Sequence, residues 1–436
     1  MADSTKSSVC ETGKPLEVRS NDSQARVESL SFCAPTFPAS IVDIIKALSR
    51  LIEKHQAVCR EDPVKVNMQI PTANELDSKA DLLDQLLSNL LPSLRDQITD
   101  LSLSMDASRL QENPICQLRL ILGNLSGLEG TMDQVQSHLA LISPRPHITS
   151  PSTCGTDDHH FGALKGFRTT RLLWKIDQLT EKLCEFFQTS IDLIQSWEFA
   201  YHRASCLHNS SCLADKIRDT SRMRTALGNF IDQLSHWSRQ SDFRIMRDDW
   251  HMEAFVLDDA VLTTFEIINH PAKGFNSSEQ LDDQLDAPSE QVVRLAKAAL
   301  PITKLTRLFL NKLSNPLANR LPLTLAHDMS SEQLELLFRT TATIPATIVN
   351  LGNCLKVADD VDHRNEFISG LAHVLAYARK YLKSSLDMLD RHLVPDPTLQ
   401  IEPPWTGDSF KQWLLTFHQQ FLLATQNFIE IVDSFK

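Results

Sequence analysis

Three sets of side chains in this 436-residue chain have types and spacings that could do chemistry. The first is acidic: Asp248, Asp249 and Glu253, with Asp258, Asp259 and the run Asp359–Asp362 further along. Paired carboxylates facing each other across a cavity can hold magnesium and a pyrophosphate, so this spacing admits a magnesium-dependent enzyme. Against it, no second motif of the Asn/Ser/Glu type follows, and Asp359–Asp362 lies near an expected helix end, where acids cap or meet water. The second set is His202, Cys206, His208 and Cys212, a Cys2His2 composition that suits zinc. One continuous helix would point His208 away from Cys206, so a turn at Asn209-Ser210-Ser211 has to intervene. Buried thiols with surface imidazoles explain the same residues more simply. Asp157, Asp158, His159 and His160 form a further acidic and imidazole cluster within a loop.

The third set is basic. Lys165, Arg168, Arg171, Lys175 and Lys182 share an arc of about 120° on a helix turning 100° per residue. Arg294, Lys297, Lys304, Arg307 and Lys312 repeat the arrangement, and no acid occurs between Glu290 and Asp328. Leu295, Ala299, Ile302, Phe309 and Leu313 occupy the opposite side of that helix. A locally basic amphipathic helix in an acidic chain can meet an acidic protein partner or an anionic lipid surface. It can equally be a solvated face that balances acidic neighbours within the molecule.

Other chemistries leave no trace. The chain has no GxxxxGK[ST] phosphate loop, no GxSxG elbow, no HExxH and no Glu-x-x-His pair. A formal charge of −12 argues against sequence-specific nucleic-acid binding. Nine Cys without a CxxC pair fit reduced thiols, and with no apolar leader or membrane-length run the expected setting is intracellular, cytoplasmic or nuclear.

The elements that must position these residues are helices. Only 12 Gly and 3 Tyr occur, too few for a hairpin-rich sheet protein. The strongest periodicity runs from Phe410 to Phe435 through Leu414, Phe417, Phe421, Ala424, Phe428 and Ile431, in steps of four and three. Five Phe on one stripe suit the dry centre of a bundle better than a slim coiled coil. Thr72 with Glu75, and Ser330 with Gln333, have capping-box spacing. Pro92 predicts a kink or break in a Leu-rich helix, and Pro345 an interruption in a later one.

The expected fold is all-α, with about ten long helices in two or three packed antiparallel bundles. A flexible leader covers 1–37, an N-terminal helical segment 38–142 and a Pro-rich linker 143–162. A middle bundle covers 163–270, a polar linker 271–288 and a C-terminal bundle 289–436.

LLPSLRDQI at 90–98, LAKAALPITKLTRLFLNKLS at 295–314, MSSEQLELL at 329–337 and WLLTFHQQFLLATQNFIE at 413–430 resemble an all-helical family of rust fungi (Pucciniales). The resemblance spans most of residues 80–436. It implies a helical fold and a fungal lineage, with an action inside a host cell among the possibilities, and it carries no assigned activity. At the level of helix length and order the chain is also similar to cyclin-D1-binding and vinculin/catenin-type bundles, which work through protein contacts.

Together these features favour a non-enzymatic bundle protein that needs no cofactor and binds another protein. Arg294, Lys297, Lys304, Arg307 and Lys312 are the expected contact residues, and Lys165, Arg168, Arg171 and Lys175 a second candidate stripe.

Overall fold

The computed structural model describes residues 37–60, 72–143, 157–202, 209–269, 288–314, 323–326, 328–358, 364–395 and 407–435. Helices dominate them. In the first half these are α1 (Phe37–Arg60), α2 (Ala73–Gln85), α3 (Leu91–Ser104), α4 (Ala107–Glu112), α5 (Pro114–Ile142), α6 (Gly166–His202) and α7 (Asn209–Trp237). In the second half they are α8 (Asp242–Asn269), α9 (Glu290–Ser314), α10 (Ser331–Val357), α11 (Arg364–His392) and α12 (Gly407–Asp433). Two short strands, β1 (Leu323–Leu325) and β2 (Leu393–Pro395), pair antiparallel with Thr324 opposite Val394. Both capping boxes form: Thr72 with Glu75 opens α2, and Ser330 with Gln333 opens α10.

The prolines bend the expectations more than the helices. A π-helical turn, Leu86–Leu90, precedes Pro92, and the Leu91 amide reaches back to the Leu86 carbonyl. The chain is therefore widened there and continues directly from α2 into α3. The interruption expected at Pro345 is also absent, since α10 runs through it unbroken. An interior proline costs about 3 kcal/mol of helix stability. Buried Leu334, Leu337, Ile344, Ile348 and Leu351 on both sides of it offset that cost through core packing.

The helices sort into two groups. α1, α3, α5, α6 and α7 pack on one another, as do α8, α9, α10, α11 and α12. The grouping corrects the expected domain limits. α8 belongs with the C-terminal helices, so the division falls in the short turn after Trp237 and not at 271–288.

The aromatic seam of α12 is core. Phe410, Leu414, Phe417, Phe421, Ala424 and Phe428 are buried, while Ile431 and Phe435 are partly so. Its rings meet α9, where Phe309 stacks on Phe417 at 5.0 Å and lies parallel to Trp413 at 6.5 Å. The seam is thus completed within one chain.

Candidate interaction surface

The first basic stripe turns out to be an internal clamp. Lys165 donates to Asp242 at 3.0 Å, and Arg168 reaches both the Asp242 carboxylate at 2.9 Å and the Ser238 carbonyl at 2.7 Å. The Arg171 guanidinium lies over both the Phe167 and Phe338 rings, 3.7 and 4.4 Å from their centroids. It donates to Asp249 of α8 and Glu335 of α10. Arg168 and Arg171 are on α6 and Lys165 immediately precedes it, and Lys165 and Arg171 are buried. They face the interior, which corrects the expectation of a contact stripe: desolvated cations need anions within the fold. Lys175 and Lys182, also on α6, lie over the Trp237 and Phe230 rings of α7.

Asp158 completes this junction, although it sits in the cluster expected to be an ordinary loop. Its buried carboxylate accepts from the Gly166 amide at 2.9 Å, the Ser331 amide at 2.7 Å and the Ser331 hydroxyl. One side chain therefore caps the first turns of both α6 and α10. His159 instead pairs with exposed Asp157.

The acidic set is divided. Asp249 faces Arg171, and burial pushes its carboxyl above the ordinary range, an effect that the guanidinium partly opposes. Burial and the neighbouring Asp249 likewise raise Glu253. Exposed Asp248 lines a different region, an open cavity of about 230 Å³ between α6, α7 and α8 with Lys175, Phe230 and Trp237. A magnesium ion at Asp249 would have to displace a guanidinium already held by two rings. Among the described residues, no three His, Cys, Asp or Glu side chains stand together as a metal site. The side chains of His202, Cys206, His208 and Cys212 lie outside the described residues, as do Asp359–Asp362.

The second basic stripe lies on the outside. Arg294, Lys297, Lys304 and Arg307 are exposed on α9, and Lys312 is half-buried. Four of these five lean on neighbours while keeping contact with water. Arg294 lies over Phe435, Lys312 over Trp413 and Lys304 over Phe265, and Arg307 pairs with Asp258 of α8. Because Arg307 meets Asp258 and Lys304 meets Phe265, α8 and α9 run antiparallel, side by side. That register sets Leu308 beside the 255–262 stretch of α8.

Sequence reasoning missed what accompanies the stripe. The outer face of α8 carries Met252, Phe255, Val256 and Leu262, exposed by 65, 66, 45 and 58%. Leu308 of α9 adds 59% at their side. These are large exposures for residues that normally supply cores. The roll of α8 is fixed by buried Trp250, whose indole N–H donates to Thr341 of α10 at 2.8 Å, and by Leu257, Ala260, Thr264 and Ile267 beneath. With the inner face so occupied, the apolar row can only point outward. The signal in the sequence was that α8 has apolar residues on both faces, where a surface helix carries one stripe. Asp248, Asp259 and Glu266 are exposed along the same outer face.

The fold and this surface define an all-α, two-bundle protein with an apolar, charge-flanked face on a pair of antiparallel helices. Residues 79–239 match the model of a domain of unknown function, DUF8723, and residues 241–430 that of a second, DUF8721. The two matches meet at the turn between α7 and α8, where the packing also divides. No curated protein and no solved structure matches the chain. Among the described residues, no helix is long and apolar enough to cross a membrane.

Proposed function

We propose that the protein is a non-enzymatic docking module whose α8–α9 face binds another protein surface, one offering apolar side chains beside carboxylates. The observation that carries this reading is the set of exposed apolar residues Met252, Phe255, Leu262 and Leu308 on the same helix pair that exposes Lys297, Lys304 and Arg307. An apolar centre with a charged rim is the anatomy of a protein interface. The acids Asp248, Asp259 and Glu266 run along the same face and would repel phosphates, which disfavours anionic lipid and nucleic acid as occupants. No cofactor has a role in this reading.

The test is carbodiimide cross-linking, which joins a lysine amine to a carboxylate in direct contact. Amide links from Lys297 or Lys304 to Asp or Glu of a bound protein, lost when Arg294, Lys297, Lys304 and Arg307 are all alanine, are the expected result. The variant should keep the wild-type melting temperature, because all four side chains are exposed. Undiminished capture by a folded variant would place the binding surface elsewhere.

A further inference from the structure

We infer that the occupant of the α8–α9 face is the same face of a second copy of this chain, an inference that rests on the docking reading above and names its partner. The argument is one of charge and size. On the outer side of α8 are the acids Asp259 and Glu266, and along α9 the bases Arg294, Lys297, Lys304 and Arg307, with exposed Phe255 and Leu262 on the first helix and Leu308 on the second. A surface split lengthwise into an acidic and a basic half is complementary to itself. A two-fold axis lying in the interface and parallel to the helices, midway between α8 and α9, swaps the halves. It lays each copy's α8 over the other's α9.

In that arrangement, which keeps each residue's height along the helices, Asp259 of one copy comes level with Arg307 of the other and Glu266 with the stretch between Lys297 and Lys304. Phe255, Leu262 and Leu308 of both copies meet at the centre. An axis perpendicular to the helices would instead stack acids on acids and bases on bases, at a cost, so the charge pattern selects one geometry. The extent also fits. The register set by Arg307 with Asp258 and Lys304 with Phe265 lays about 17 residues of α8 beside α9, a shared face of roughly 25 by 20 Å, or about 500 Å² per copy and about 1,000 Å² in total, the lower end for a specific interface. The interface is isologous, as most homodimer interfaces are.

The experiment is sedimentation velocity of the full chain from about 1 to 100 µM, so that mass action shows in the weight-average mass. Wild type should associate to a dimer. Leu262→Asp, a change at an exposed position that leaves helicity intact, should raise the dissociation constant at least tenfold. The charge-reversed pair Lys297→Glu/Lys304→Glu, alone, puts acids over acids and should be monomeric. So should Glu266→Lys alone. An equimolar mixture of the two reversed variants restores both halves and should dimerise as wild type does.

A monomeric wild type across the range overturns the inference, as does a dimer indifferent to Leu262→Asp, or a mixture no tighter than its components. A monomer that still forms carbodiimide links from Lys297 or Lys304 to a different protein would overturn the second copy alone and leave the docking reading standing. A monomer without such links would overturn both.

Discussion

Replacing Asp158 with alanine tests whether one loop carboxylate holds the two halves of the molecule together. Asp158 accepts three hydrogen bonds, from the Gly166 amide, the Ser331 amide and the Ser331 hydroxyl. Loss of a capping side chain costs about 0.5–2 kcal/mol, and here one substitution uncaps two helices. The bonds to the two amides are part-buried, so water takes over some of what those amides lose even though Asp158 itself is 4% exposed. Two caps at that cost give a loss of about 1–4 kcal/mol. Urea unfolding followed by circular dichroism measures it, with Asp157→Ala as the control. Asp157 is exposed and, among the described residues, pairs with His159, so its removal should change stability by less than about 0.5 kcal/mol. Because Gly166 opens α6 and Ser331 opens α10, Asp158→Ala should also separate the melting of the two helix groups. A single, unshifted transition, or equal effects for Asp157 and Asp158, would refute the reasoning.

Three further perturbations have defined outcomes. Phe421→Ala removes a fully buried ring from the α12 seam and should cost about 3–5 kcal/mol in chemical denaturation; a loss under about 1 kcal/mol would contradict its burial. Arg171→Met keeps the stem against Phe167 and Phe338 but removes the charge that opposes the upward shift of Asp249. The Asp249 titration midpoint, followed by carboxyl NMR, should move further up, and stability near neutral pH should fall by about 2–3 kcal/mol, less than for a sealed ion pair because Asp249 and Glu335 remain partly hydrated. His55, on α1, is buried with neither ring nitrogen hydrogen-bonded, and burial lowers its pKa below 6.5 against the weaker pull of Asp133 and Glu129. The unfolded chain takes up its proton near 6.5 while the folded chain resists, so this stability is complete above that pH and is lost as pH falls through the lowered folded value. His55→Leu should therefore flatten the stability profile below neutrality; a profile parallel to wild type would show that His55 does not titrate differently on folding.

How much of this was legible in the sequence differs from element to element. The α12 seam could be read outright, because large rings at heptad spacing leave one burial solution, and the two capping boxes could be read because their partners are three residues apart. Pro345 could not, since whether a proline breaks a helix depends on the packing of Ile344, Ile348 and Leu351 against other helices, which no local pattern records. The two basic stripes look alike in one dimension. What separates them is that Asp242, Asp249 and Glu335 face one stripe from α8 and α10, more than 70 residues away, whereas the other, among the described residues, meets Asp258. Asp158 was hidden for the same reason, with Ser331 lying 173 residues downstream. The exposed row on α8 was visible as excess apolar content, but only Trp250 and its bond to Thr341 say which side faces out.

Arg168 has a consequence for how such a chain could be cut, shuffled or inherited. Its guanidinium grips the Ser238 carbonyl on one side of the turn and the Asp242 carboxylate on the other, across the point where the two domain matches abut. Severing the chain there would not yield two self-sufficient pieces. The downstream piece would carry Asp242, Asp249 and Glu335 without their countercharges, and the upstream piece would expose Lys165 and Arg171 with nothing to neutralise them. Each half is thus the other's counterion, so a recombined protein carrying one half would need a replacement for the other's charges.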